Sequence, residues 1–209
     1  MTEHPPGGGA PVRFRQSGWP VLRTPRWLLA CAVVLVAGLV LAAIPHRPST
    51  TQRAADLRGL VHDVTTDIES CAGGVQESLT ALHAIQAGTS HDVKTAIGIA
   101  SYGVSNCSPA NSMPLDDLVQ YQVPESLAGF HLDTAVNDLV TWAFPLAQRV
   151  QADVARELGS HSTSARAAAA AALQHDLAAL NAQRSVIDKI IMSAARSLPA
   201  RVTPPPLPS

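Results

Sequence analysis

Residues 27–44 read WLLACAVVLVAGLVLAAI, with no charged or strongly polar side chain. At about 1.5 Å per residue a helix of that length covers about 27 Å, close to the hydrocarbon thickness of a bilayer. Backbone groups in lipid must bond within the segment, so the run predicts one transmembrane helix. Trp19 and Trp27 sit at its amino-terminal flank, where amphipathic rings favour the interface, and Pro45 ends it.

A linker over 45–52 leads into a different pattern. Leu57, Val61, Val64, Ile68, Cys71 and Val75 recur at alternating spacings of four and three, and Leu79, Leu82 and Ile85 continue after a slip. This is one apolar stripe on a long helix, narrow enough for a coiled-coil seam. Gly73-Gly74 predicts a bend or a close helix contact within it. Ser90 is the expected cap of a second helix over 91–103. The turn-rich SNCSPANSMP follows, then one short helical turn from Pro114 to Val119, and Pro124 breaks the chain again.

A third helix is expected from Asp133 to Leu158, with Leu132, Val136, Leu139, Ala143, Leu146, Val150 and Val154 facing inward. Pro145 in its middle removes a backbone donor and predicts a kink or break. A fourth helix over 162–198 opens on an alanine run with very high helix propensity. Its stripe is Leu173, Leu177, Leu180, Ile187, Ile191, Ala194 and Leu198. Arg184 falls on that stripe and must reach past the core edge or find a carboxylate. Residues 199–209, rich in proline, read as an extended, solvated tail. No strand pattern of useful length occurs. The expected fold is all-α: one amino-terminal transmembrane helix, then an extracytoplasmic bundle over 53–198 of three long helices and one shorter one.

Charge sets the orientation. Residues 1–26 hold Arg13, Arg15, Arg23 and Arg26 against Glu3, and the whole chain is −1. The basic flank stays inside, so the amino terminus is cytoplasmic and the bundle lies outside. A cleaved signal peptide fits less well. The basic leader and apolar run are long, and Leu41-Ala42-Ala43 puts Leu where a small residue is preferred. Leu28-Leu29-Ala30-Cys31 has the letters of a lipoprotein box, but Cys31 begins the apolar run instead of ending it. The tail over 1–26, rich in Pro and Gly, is too short to pack a core, so no catalytic or DNA-binding domain lies inside. A near-neutral chain is also a poor nucleic-acid binder.

Cys71 and Cys107 are the cysteines outside the membrane segment. They are expected to form a disulfide in an oxidising compartment, as no C-x-x-C spacing suggests redox chemistry. The chain has eight His, and His62-Asp63, His91-Asp92 and His175-Asp176 are adjacent pairs. Neighbours on a helix point about 100° apart, so no pair makes a site alone. Asp63 and Asp67 lie one turn apart and would suit a shared cation, although exposed carboxylates are the simpler account. Zinc spacings, serine-nucleophile motifs, phosphate loops and dinucleotide fingerprints are missing, so no cofactor or metal and no enzymatic activity is expected. Asn106-Cys107-Ser108 fits a glycosylation sequon.

Three functions remain. The first is a scaffold or interaction module of the cell envelope, anchored in the lipid bilayer and binding another envelope protein or itself. The second is a small-ligand binding or sensing domain, with a pocket near Trp142, Phe144, Pro145 and the loop from Cys107 to Pro124. The third is a His–Asp hydrolase, whose mark is three such side chains converging.

Overall fold

A hydroxyl just ahead of an apolar stripe starts the first helix. The computed structural model describes residues 48–206. There Ser49 Oγ accepts from Gln52 N at 3.1 Å, and helix α1 runs Thr50–Gln86. The cap draws the last linker residues into the helix, so it begins earlier than the expected boundary at 53. The stripe from Leu57 to Leu82 is buried within this chain, mainly against the second and fifth helices. It serves the bundle core, which separates it from a seam between chains. Segments 1–26 and 27–44 lie outside the described residues, as do the start of the 45–52 linker and residues 207–209. Among the described residues no helix is long and apolar enough to cross a membrane.

At Gly73-Gly74 the helix runs unbroken, and Gly74 makes a close contact. A Cβ on Gly74 would stand 3.3 Å from the Gly103 Cα, so two helices meet there backbone to backbone. Gly88, at φ +70°, turns the chain out of α1. Helix α2 is Val93–Asn106. Its cap is Asp92, whose Oδ1 accepts from Thr95 N at 3.0 Å, and not the expected Ser90. Ser90 instead gives its backbone N–H to Ala84 O, finishing the α1 terminus. Helix α3 is Met113–Val119, with Pro114 in its first turn, where a missing N–H costs nothing. A 3₁₀ turn, Glu125–Leu127, follows Pro124.

The expected third helix is divided. Helix α4, Leu132–Asp138, passes into a π turn, Leu139–Ala143, and then into α5, Phe144–Gly159. Pro145 falls in the first turn of α5, and the wider π turn before it absorbs the lost hydrogen bond. All seven stripe residues from Leu132 to Val154 are buried.

Ser162 caps α6, Thr163–Ser197, through Oγ and Ala165 N at 3.1 Å. Ala165 to Ala168 are exposed, so propensity and not packing holds the first turn. Arg184 finds its carboxylate one turn on, with Nε 3.6 Å from Asp188 Oδ2. The proline-rich tail departs from the expected solvated strand. Ala200 and Val202 pack against the core and Pro205 is buried. Withdrawing these apolar side chains from water favours the packed tail.

The described residues are helices and loops, without strands. Helix α5 is central, packed against α6, α2 and α1. Helices α1 and α6 barely touch each other.

Candidate functional site

The disulfide sits at the centre of the bundle. Cys71 on α1 and Cys107 at the end of α2 are joined, with an S–S distance of 2.05 Å, and both are fully buried. Gln148 Nε2 donates to Cys107 O at 2.8 Å, tying α5 to the same point. Gln151 is buried there too, its Nε2 3.5 Å from the Cys107 sulfur and its Oε1 without a hydrogen bond among the described residues. Its carboxamide lies on Gly103, where a Cβ would come within 2.7 Å of Oε1. Asn106, the sequon asparagine, is half-buried beside the bonded Cys107.

The three residues expected to form a ligand pocket do not converge. Phe144 is only 2% exposed and belongs to the core. Trp142 is 57% exposed, and Pro145 also faces solvent. The π turn separates them by aiming Trp142 outward and Phe144 inward. None of the three lines any of the cavities described.

Trp142 is instead one of several large apolar side chains that stand in solvent along this stretch. Met113 and Val119 of α3 are 84% and 51% exposed, and α3 touches the π turn that carries Trp142. Val119, Val123, Val136 and Val140 share a shallow cavity of about 280 Å³ between these elements. Pro114, Pro124 and Pro145 divide this stretch into short elements, which leaves side chains without an opposing helix.

The charged candidates are scattered. His62, His91 and His175 are all exposed, as are Asp63 and Asp92, while Asp176 is buried and pairs with Arg149 at 2.9 Å. The Asp92 carboxyl is held below the ordinary aspartate range by its bonds from the Thr95 hydroxyl and N–H. Asp63 accepts from Tyr121 Oη at 3.3 Å. Burial, with Asp63 beside it, pushes the Tyr121 hydroxyl up to about 12. Burial first, then Asp117 and Asp63, raises the Asp67 carboxyl above its usual value. Among the described residues no three His, Cys, Asp or Glu side chains gather to hold a metal ion.

Four inner polar residues, Ser78, Gln151, Asp153 and Glu157, escaped sequence reading. Gln151 and Glu157 lie on the buried side of α5, and Glu157 Oε1 accepts from Gln86 Nε2 at 2.7 Å. Their spacing from Val150 and Val154 offered a signal, since Gln151, Val154 and Glu157 follow at intervals of three. No family model, curated protein or solved structure matches this chain.

Proposed function

We propose that this protein is a single-pass, membrane-anchored helical module of the cell envelope that acts by binding another envelope protein, without catalysis. The observation that carries the reading is the set of large apolar side chains exposed on α3 and the π turn, Trp142, Met113 and Val119. Exposed aromatic and methionine side chains are typical anchors of protein interfaces. The apolar run 27–44 supplies the anchor, and its basic leading flank keeps the amino terminus in the cytoplasm. A paired Cys71 and Cys107 fits an oxidising compartment outside that membrane. The lipid bilayer is therefore one partner and an envelope protein the other.

Cross-linking of the tagged full-length chain in cells, followed by pull-down and mass spectrometry, tests this. One recurrent envelope protein is expected, lost in a Trp142→Ala, Val119→Asp variant that still carries the disulfide. Self-cross-links alone would make the module a homo-oligomeric scaffold. A full-length chain that captures nothing specific would overturn the reading.

A further inference from the structure

Three acids are buried in the bundle, and their neighbours differ. Asp176 has Arg149, and Asp153 has Arg156. Glu157, only 6% exposed, has the neutral amide of Gln86 and, among the described residues, no Lys, Arg or His nitrogen in salt-bridge range. An ionised carboxylate withdrawn from water without a cation is unfavourable. Glu157 also lines a cavity of about 480 Å³, open because α1 and α6 barely meet. Leu79 and Leu82 of α1 face Leu173 and Leu177 of α6 across it. That size and lining, apolar walls with a few polar groups, suit a small molecule.

We propose that this cleft binds a small organic cation. Its ammonium or guanidinium head pairs with the Glu157 carboxylate, and its apolar body lies between the leucines. Gln86 donates through Nε2 to Glu157, which fixes the carboxylate and leaves the Gln86 carbonyl to accept from the same head. An anion of equal size finds no such partner in Glu157, and His83, which also lines the cleft, is the basic side chain there. A neutral analogue gains the apolar contact but not the ion pair. The site shares no residue with the exposed apolar side chains of α3 and the π turn, so it stands or falls independently of partner docking.

Equilibrium dialysis of the full chain in lipid nanodiscs, with empty nanodiscs subtracted, tests the proposal. The probes are 2-phenylethylammonium and its uncharged analogue 2-phenylethanol. The ammonium is expected to bind saturably and at least about tenfold more tightly than the alcohol. Glu157→Gln should remove that difference. Ala178→Trp, at the exposed rim of the cleft, should weaken both probes without disturbing the core. Equal affinity for the two probes, or no saturable binding of the ammonium, would overturn the proposal. So would unchanged ammonium binding in Ala178→Trp, which keeps the test decisive if Glu157→Gln does not fold.

Discussion

Gly73 and Gly74 are neighbours with opposite surroundings. A Cβ on Gly73 meets nothing within 4 Å, whereas Gly74 and Gly103 are pressed together beneath Gln151. Gly73→Ala should therefore raise stability by about 0.5–1 kcal/mol, because alanine loses less backbone entropy in a helix. Gly103→Ala should cost about 1–3 kcal/mol by displacing a fully buried side chain. Thermal unfolding of the two variants reads both, and equal shifts would contradict the close contact. Phe144 and Trp142 form a second contrasting pair. Phe144→Ala should cost about 3–5 kcal/mol, as for a large side chain removed from a core. Trp142→Ala should stay within about 0.5 kcal/mol while weakening partner capture. Asp67 gives a pH-dependent test. Its folded carboxyl is raised, so its contribution is fully present below the ordinary value of 3.8 and is lost as pH rises through the folded value. Asp67→Asn should raise the melting temperature at pH 7, with the gain fading on acidification below that value. A gain that persists in acid would show that charge is not the cause.

At the scale of elements, periodicity carried most of the reading. The stripes of α1 and α6 are legible because three- and four-residue spacing places one face inward, and most stripe residues are buried, Ile85 and Leu177 being half-buried. Caps were less legible. Ser90 and Asp92 are both good capping residues two positions apart, and only the three-dimensional end of α1 decides that Ser90 serves it. Pro145 announced a kink or break, and the helix divides there at a π turn, with Trp142 exposed and Phe144 buried. The disulfide was legible from counting alone. It closes 36 residues of chain between α1 and the end of α2. The chain-entropy model assigns such a loop about 4 kcal/mol. Replacing both cysteines with alanine should lower the unfolding free energy by roughly that amount, measured by denaturant titration in a reducing-agent-free buffer. A change below about 1 kcal/mol would mean that α1 and α2 hold their register through Gly74 and Gly103 without the bond.

The whole molecule carries a bundle with a buried disulfide and, over 27–44, an apolar run that has the length of a membrane span. The cleft between α1 and α6 was not legible, because sequence does not say which helices leave a gap. The central claim is that the bundle stands outside the plasma membrane, where an oxidised Cys71–Cys107 pair and an envelope partner both belong. Thr66 is exposed on α1, so Thr66→Cys places a reporter thiol on the bundle surface. The direct measurement labels this full-length variant with a membrane-impermeant thiol reagent, in cells whose outer layers are opened and whose plasma membrane is intact. Labelling equal to that of lysed cells is the predicted result; labelling only after lysis would place the bundle in the cytoplasm and contradict the account.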